Sequence, residues 1–487
     1  MKHRIYFVGF LASLLAMFLV SVPADQPQSA TLAVWGVMGD STQPLLPGTD
    51  YDYEDFFSTM GVHFVFDPDI SGSEYQPATN NTMTSAGATL GRVLFYDKRL
   101  SANFTISCGS CHLGKDGFSD GKALSKGFNG QHTTRNSIGL VNSRFQPTGS
   151  FFWDASADTL QSQIRAALTS TIEMGMDLDT MVARVANASY YPQLFQNAFG
   201  NTTVTQDRIA AAIGQFVRSM ASSQTDYDLG VMQVWDRTLP FPNYSNEENI
   251  GKDIFLQSGC DQCHTTHNFH MPEPINNGLD LLYLDKGVGE ITNNSSDNGK
   301  FKAASLRNIG KTGPYMHDGR FATLEDVVEH YSTGIQDHPN LDSRLKENGL
   351  PKKFNFTSAE KDALVAFLRT LDDNAFNNDP RWENPFGLDS VRAVPVNRLF
   401  TPIDDEIEQK VLEVFPNPFR GHINVAWENT RAEEFRARLL DNQGRLIKEI
   451  STRDNEVRFE RESLPAGTYI IAVDNGSDRM VKQVIAQ

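Results

Sequence analysis

Cysteine is scarce in this chain, with four residues among 487. Basic side chains are also in short supply: 43 lysines and arginines stand against 60 acidic residues, and the formal net charge is −17. This acidic balance argues against a nucleic-acid binder, which needs basic patches. Hydrophobic residues make up 40% and charged residues 21%, an ordinary globular mixture that excludes wholesale disorder. A chain of this length predicts about two to four domains.

Long apolar runs are equally scarce, and the longest one lies near residue 1. Basic side chains at positions 2–4 precede an apolar run over 5–20, and Val-Pro-Ala at 22–24 offers a small-residue cleavage site. This order predicts a secretory signal peptide over 1–24. The alternative is a membrane anchor, but the run is shorter than the ~20 residues of a span. We therefore expect an exported protein without a stable membrane span, in a compartment where thiols normally pair.

The remaining chain divides by pattern into a leader over 25–85, two helical modules and a linker. Apolar residues recur at spacings of three and four over 159–168 and 206–220, which predicts amphipathic helices. Thr323 and Asp326 form a capping-box pattern that predicts a further helix start, with Gly334 at its far end. The predicted boundaries, set at a polar break and at an Asn- and Pro-rich stretch, are 86–242, 243–372 and a linker over 373–410.

The C-terminal region, 411–487, has a different character. Short runs alternate apolar and polar residues, and turn signals separate them at 442–444 and 475–476. A period of two with regular turns predicts a small β-sandwich. The expected fold is therefore mainly α, with two helical modules followed by a β-sandwich.

All four cysteines belong to one repeated pattern, Cys-x-x-Cys-His. The two copies are Cys108-Gly-Ser-Cys111-His112 and Cys260-Asp-Gln-Cys263-His264. This motif attaches c-type haem, because the thiols add to the porphyrin vinyl groups and the adjacent histidine ligates the iron.

Three other interpretations of the cysteines compete with haem. A structural zinc site usually places its two halves about 15–20 residues apart, and these copies lie much farther apart. A dithiol redox motif does not need the histidine that follows both copies here. Plain disulfides remain open, but two complete motifs with no spare cysteine favour two covalently bound c-type haems.

Polar residues after the first motif indicate more than electron storage. A haem that cleaves peroxide needs an open iron position and a positioned acid–base. Glu173 offers the acid–base, Gln163 offers an amide to orient water or peroxide, and Trp153 offers a redox-active ring. Taken alone, a glutamate is usually a solvated surface carboxylate and a tryptophan is usually core. Their combination favours the catalytic interpretation.

Several motifs over 87–371 together carry a family resemblance. They are Leu90-Gly-Arg-Val-Leu-Phe-Tyr-Asp-Lys-Arg-Leu-Ser101, both haem motifs, Phe151-Phe-Trp-Asp154, Glu173-Met174, Ser305-Leu-Arg-Asn308 and Pro314-Tyr-Met-His-Asp-Gly319. In this order they resemble the bacterial di-haem cytochrome c peroxidase family, which includes the MauG-type enzymes. The resemblance implies one cytochrome c-like haem domain in each module, with the peroxidatic haem in 86–242 and the electron-transfer haem in 243–372.

The resemblance also implies roles for individual residues. Trp153 would lie between the haems, Gln163 would be the distal amide and Glu173 the distal acid. A calcium ion between the domains would be bound by the side chain of Asn136 and the carbonyls of Thr312 and Pro314. Amide and carbonyl oxygens suit that hard cation.

Two positions depart from the family pattern. In many family peroxidases a loop histidine blocks the peroxidatic iron, and here that place falls on Phe128. The nearest histidine is His132, which we interpret as a solvated loop residue rather than a ligand. The first haem is then expected to be five-coordinate without reductive activation.

The second departure concerns the other iron. Family peroxidases ligate it with a methionine on the helix that follows Pro-Tyr-x-His-Asp-Gly, and that place falls on Tyr331, as in the MauG-type enzymes. A phenolate favours oxidised iron, whereas methionine raises the potential. His330, Met316 and Met271 are rival ligands, and a tyrosine packed in the core is the other alternative.

The predicted β-sandwich resembles the C-terminal sorting domain of type IX secretion. The resemblance is carried by Val414-Phe-Pro-Asn-Pro-Phe419, Leu464-Pro-Ala-Gly-Thr-Tyr469 and Lys482-Gln-Val-Ile485. It implies passage through the periplasm, recognition by the type IX machinery, and a secreted or cell-surface location. The alternative is an ordinary binding sandwich, since this architecture hosts many functions.

Three functions follow from these residues. The first is a peroxidase that reduces hydrogen peroxide with electrons from a donor protein such as a small cytochrome c. The second is a MauG-like enzyme that uses peroxide to oxidise aromatic residues of a partner protein. The third, a non-enzymatic electron carrier, leaves Glu173 and Gln163 without a purpose.

Overall fold

The computed structural model describes most of the chain between residues 81 and 386 and most of the C-terminal region. The described residues are 44, 51–53, 63, 81–146, 151–265, 267–271, 273–386, 412–417, 419–427, 434–440, 446–461, 464–474 and 479–486. The predicted signal peptide, most of the predicted leader and the linker beyond residue 386 lie outside these ranges. None of the helices within them is both long and apolar enough to cross a membrane.

Helices dominate residues 81–386. In chain order they are α1 (Ser85–Tyr96), α2 (Leu160–Thr169), α3 (Leu178–Ala186), α4 (Tyr191–Phe199), α5 (Gln206–Ser219), α6 (Asp226–Val234), α7 (Asn246–Gln257), α8 (Val288–Thr292), α9 (Leu324–Glu329), α10 (Ser358–Arg369) and α11 (Asn374–Asn377). A short hairpin of β1 (Lys346–Glu347) and β2 (Leu350–Pro351) precedes α10. The predicted amphipathic helices are confirmed as α2 and α5.

The predicted capping box is also confirmed. Thr323 Oγ1 accepts a hydrogen bond from the Asp326 amide at 3.2 Å, and the Asp326 carboxylate accepts one from the Thr323 amide at 3.1 Å. Both orphan donors at the start of α9 are thereby satisfied. The helix continues as a π-helical turn, His330–Gly334, which ends at the predicted glycine.

Each of the two modules contains a helix crossing of the same kind. Helix α1 crosses α5 at Gly91, where an added Cβ would lie 1.9 Å from the carbonyl oxygen of Ala212. Helix α7 crosses α10 at Gly251, where an added Cβ would lie 1.9 Å from the carbonyl oxygen of Ala363. Only glycine allows such close backbone approach, so each module is organised around an equivalent pair of helices.

The packing differs from the predicted boundaries at two places. Helix α6, expected in the first module, places Tyr227 and Val231 in the second core with Phe367. Phe376 and Trp382, expected in the linker, are buried in the first core instead. Both differences arise from long-range apolar packing, which local pattern does not report.

The C-terminal region forms two antiparallel sheets, as the alternating pattern predicts. Its strands are β3 (Glu413–Phe415), β4 (His422–Ala426), β5 (Phe435–Leu440), β6 (Leu446–Thr452), β7 (Glu456–Glu460), β8 (Gly467–Asp474) and β9 (Arg479–Ala486). The sheet orders are β3-β4-β7 and β6-β5-β8-β9. Buried residues of both sheets, such as Val425 and Ile471, belong to one core. The β-sandwich prediction is confirmed.

Candidate haem and peroxide site

The first Cys-x-x-Cys-His motif lies beside the α1–α5 crossing. Cys108 begins a 3₁₀ turn, and Cys111 and His112 follow it. Both thiols and the imidazole line one cavity of about 360 Å³. The His112 Nδ1 lies 2.7 Å from the carbonyl oxygen of Phe118. Because a carbonyl can only accept, Nδ1 carries the proton and Nε2 keeps the lone pair that an iron ligand needs.

The second motif repeats this arrangement beside the α7–α10 crossing. Cys260 begins another 3₁₀ turn, and Cys263 and His264 follow. All three line a second cavity, of about 250 Å³. The His264 Nδ1 lies 3.1 Å from the carbonyl oxygen of Phe269, so Nδ1 carries the proton and Nε2 is again the nitrogen that can ligate iron.

The donor chemistry of both cavities fits covalent haem better than zinc or disulfides. None of the four cysteines is disulfide-bonded. Burial raises the pKa of the Cys108 and Cys260 thiols to about 12. Across the described ranges, no three His, Cys, Asp or Glu side chains converge as metal ligands would. Each cavity instead offers two thiols and one imidazole, the set that a c-type haem uses.

Glu173 and Gln163 lie in the wall of the first cavity. Gln163 is on α2, and Glu173 is on the turn that follows this helix. The turn is fixed because the Glu173 amide donates to Ser170 Oγ at 3.2 Å and the Glu173 carbonyl accepts from the Phe128 amide at 2.9 Å. Burial raises the pKa of Glu173 to about 7. Such a carboxyl can both take and return a proton near neutral pH.

The loop before Asn136 brings no histidine to the first cavity. The ring of Phe128 lies against Gly175, where an added Cβ would be 2.3 Å from the ring. His132 is exposed, and its Nδ1 is 3.3 Å from the Leu124 carbonyl oxygen. Neither side chain is among those that line the cavity.

Trp153 belongs to the walls of both cavities. Its Nε1 donates to the Asn136 carbonyl at 2.9 Å, and its own carbonyl accepts from the Lys302 amide at 2.8 Å. The adjacent Asp154 accepts from Arg135, whose guanidinium also binds Asp285 through two hydrogen bonds of 2.7 and 2.8 Å. Trp153 is therefore hydrogen-bonded to residues of both modules.

Tyr331 and Met316 both reach the second cavity. Tyr331 lies on the π-helical turn after α9, a type of irregularity common at functional sites. The amide of Asn277 donates to Tyr331 Oη at 3.4 Å and approaches Met316 Sδ at 3.6 Å. Burial raises the pKa of the Tyr331 phenol to about 12.

The other two rival ligands are engaged elsewhere. His330 Nε2 lies 3.2 Å from the Asn277 carbonyl oxygen, and Met271 Sδ accepts from Arg344 Nη1 at 3.0 Å. Neither residue is among those that line the second cavity. The geometry leaves Tyr331 and Met316 as the candidate ligands of the second haem iron.

The three residues expected to bind calcium also line the second cavity. The Asn136 Nδ2 donates to the carbonyls of Lys122 and Ala123 at 2.9 and 3.2 Å, which directs its Oδ1 the other way. Thr312 and Pro314 line the same cavity as Asn136. Calcium binding by these three residues stays a prediction.

Sequence reasoning missed Lys302 and Asn277, which line the second cavity. Lys302 comes three residues before the Ser305-Leu-Arg-Asn308 motif, and this proximity was its only local signal. Asn277 has no local sequence signal, because its place in the cavity depends on contacts with residues far along the chain.

Comparison with known proteins gave consistent matches. The family profile described as di-haem cytochrome c peroxidase matches residues 85–233, and the one described as secretion system C-terminal sorting domain matches 413–487. The chain is 33% identical over 301 residues to the methylamine utilization protein MauG of Methylorubrum extorquens, covering 60% of this chain and 79% of that protein. It is 32% identical over 321 residues to the cytochrome c551 peroxidase of Nitrosomonas europaea, covering 65% and 87%.

A solved structure is also similar to this chain. The crystal structure of a MauG-like protein associated with microbial copper homeostasis superposes with a TM-score of 0.56 at 34% identity. The alignment covers 63% of this chain and 95% of that one.

Proposed function

This chain belongs to the di-haem cytochrome c peroxidase and MauG family, and from that premise we propose that it reduces hydrogen peroxide to water with electrons from a donor protein. The family implies two c-type haems and redox chemistry. The proposal adds the substrate, the electron source and the residues that act.

One observation carries the proposal: Glu173 and Gln163 share the first cavity with His112 and its two cysteines. A pure electron carrier has no need for a buried carboxyl beside an iron site. Shielding such a group from water costs free energy unless it is hydrogen-bonded or paired, and the pKa of about 7 makes it a competent acid–base.

The residues divide the work as follows. Haem held by Cys108, Cys111 and His112 would supply the redox chemistry with peroxide. A carboxylate oxygen of Glu173 takes a proton from one peroxide oxygen and returns it to the other, so that water leaves. The amide of Gln163 orients the peroxide. Two electrons and two further protons complete the reduction to two waters, and Trp153 is positioned to pass electrons between the modules.

Replacing Glu173 with Gln tests this assignment. The substitution keeps size and polarity but removes the proton carrier, so peroxide turnover should fall about 10²–10⁴-fold. Haem content, measured as the pyridine haemochrome, should not change. Glu247→Gln, on the exposed first turn of α7, is the matched control. Unchanged turnover in the Glu173→Gln chain would remove Glu173 from the mechanism.

The position of Tyr331 favours a second candidate, the MauG-like oxidation of aromatic residues in a partner protein. A phenolate ligand favours oxidised iron, which suits a haem that stores an oxidising equivalent. Absorption and spin-resonance spectra of the wild type and of Tyr331→Met distinguish the two. One high-spin haem and one low-spin haem altered by the substitution support this candidate. Two low-spin haems with His and Met ligation in the wild type contradict it.

We also propose that Asn136, Thr312 and Pro314 bind calcium. The ion would fix the segment that carries the Asn136 carbonyl, which accepts from Trp153. Chelation should slow electron transfer between the haems, and added calcium should restore it. Direct metal analysis that finds no calcium in active protein would contradict the assignment.

The C-terminal region carries a secretion sorting domain, which marks an exported protein. We propose that the type IX machinery recognises it and that the haem modules act outside the cytoplasm, in the periplasm during transit and then at or beyond the cell surface. Deleting 413–487 should retain active enzyme inside the cell envelope. Continued secretion of the shortened chain would contradict this.

A further inference from the structure

The second cavity has three lysine or arginine side chains in its wall, and two of them have acidic partners. Arg307 binds both carboxylate oxygens of Asp228, at 2.6 and 2.8 Å. Arg344 Nε binds Asp342 at 2.7 Å. The third is Lys302, and no carboxylate in the described part of the chain forms an ion pair with it.

Nothing in the cavity wall offsets the charge of Lys302. No aspartate or glutamate is among the described residues that line this cavity. The nearby His270 is buried, and burial lowers its pKa to about 3, so it stays neutral. Burial alone lowers the pKa of Lys302 to about 7. Lys302 is half-buried, and an ammonium shielded from water is stabilised by a counter-ion, so an anion that enters this cavity would pair with it.

Lys302 is also held at a defined place. Its amide donates to the carbonyl of Trp153, and its Nζ lies 5.6 Å from the centre of the Phe151 ring. Both partners belong to the first module. The backbone of Lys302 is therefore fixed beside Trp153, and its ammonium lies against Phe151.

We propose that Lys302 is the counter-ion of the haem in the second cavity: its ammonium binds a propionate carboxylate and raises the reduction potential of that haem. A c-type haem brings two propionates, which are the anions that the cavity lacks. A fixed positive charge nearby favours the reduced iron, which carries one positive charge fewer than the oxidised iron. The proposal rests on haem attachment at Cys260 and Cys263 and not on the peroxide reaction. The counter-ion role of Lys302 and the proposed peroxidase function can therefore be refuted separately.

The test is a spectroelectrochemical titration of both haems in the full-length protein. Lys302→Met keeps the length and packing of the side chain but removes its charge. The ratio of oxidised to reduced second haem at a fixed potential should rise about tenfold, which corresponds to a fall of 59 mV for one electron. Lys302→Arg keeps the charge and should retain most of the wild-type potential.

Lys300→Met is the matched control. Lys300 is two residues away, pairs with Asp297 at 2.8 Å and does not line the cavity, so its loss should leave the potential of the second haem unchanged. A wild-type potential in Lys302→Met would overturn the proposal. An equal fall in Lys302→Arg and Lys302→Met would also overturn it, because packing rather than charge would then be responsible.

If the Lys302→Met chain does not retain its second haem, Lys302→Arg decides the question. A second haem with an unaltered potential in Lys302→Arg supports the counter-ion, because the cavity then accepts haem only when a cation is present. A lowered potential or a lost haem in Lys302→Arg overturns it.

Discussion

In both modules a histidine that follows a cysteine pair donates its Nδ1 proton to a backbone carbonyl, yet the two cavities differ in the ionisable groups that line them. The first cavity has an acid, Glu173, whose pKa burial raises to about 7. The second has a base, Lys302, whose pKa burial lowers to about 7, and no acid in its described lining.

The difference shows which part of the scaffold is repeated and which part is specialised. The helix crossings at Gly91 and Gly251 and the two haem motifs are equivalent, because both modules solve the same attachment problem. Under the proposed function the remaining walls differ because the first cavity would move protons, whereas the second would exchange electrons. We expect each of the following substitutions to affect one of the two modules and to leave the other unchanged.

The largest effect is expected from the cysteine pairs. Replacing Cys108 and Cys111 with Ala should remove one of the two covalent haems and abolish peroxide turnover. Replacing Cys260 and Cys263 should remove the other haem and leave the first cavity able to react once with peroxide but unable to turn over with a donor. Haem staining, absorption spectra and single-turnover kinetics check both. Loss of both haems from one double substitution would show that the modules are not independent.

The glycines at the helix crossings come next. Gly91→Ala places a Cβ 1.9 Å from the Ala212 carbonyl oxygen, so the helices must separate, at a cost of about 1–3 kcal/mol. Gly251→Ala should destabilise the second module by a similar amount. Thermal unfolding followed at each haem measures both.

A third glycine, on the same pair of helices as Gly91, is the control for the Gly91→Ala substitution. At Gly214 on α5 the nearest atom to an added Cβ is 3.6 Å away, an ordinary contact. Gly214→Ala should stabilise the protein by about 0.5–1 kcal/mol, because alanine favours the helix. Equal effects at Gly91 and Gly214 would contradict the close crossing.

The smallest effect is a pH dependence confined to the first cavity. If the Glu173 carboxylate accepts the proton of peroxide, its ionised fraction rises with pH through the pKa of about 7. The kcat/KM for peroxide should therefore fall about tenfold for each pH unit below that value and level off above it. Glu173→Gln should flatten the profile, whereas Glu247→Gln should keep its shape. A flat wild-type profile between about pH 5.5 and 8 would contradict this role.

Much of this organisation could be predicted because its signals are local. The haem motifs, the capping box at Thr323 and the alternating strands of the sandwich are each encoded within a few neighbouring residues. The place of Lys302 could not be predicted, because it depends on contacts with Trp153 and Phe151, which lie far earlier in the chain. The same holds for α6, whose core contacts come from helices far along the chain.

The return of Phe376 and Trp382 to the first core has a consequence for the order of assembly. The Tyr96 hydroxyl donates to the Trp382 carbonyl at 2.6 Å, so the first module is completed by residues that lie beyond the second. In a chain that emerges N-terminus first, the whole second module must emerge before the first core can be completed. The match to a secretion sorting domain covers 413–487, so the segment that completes the first core emerges before that domain does.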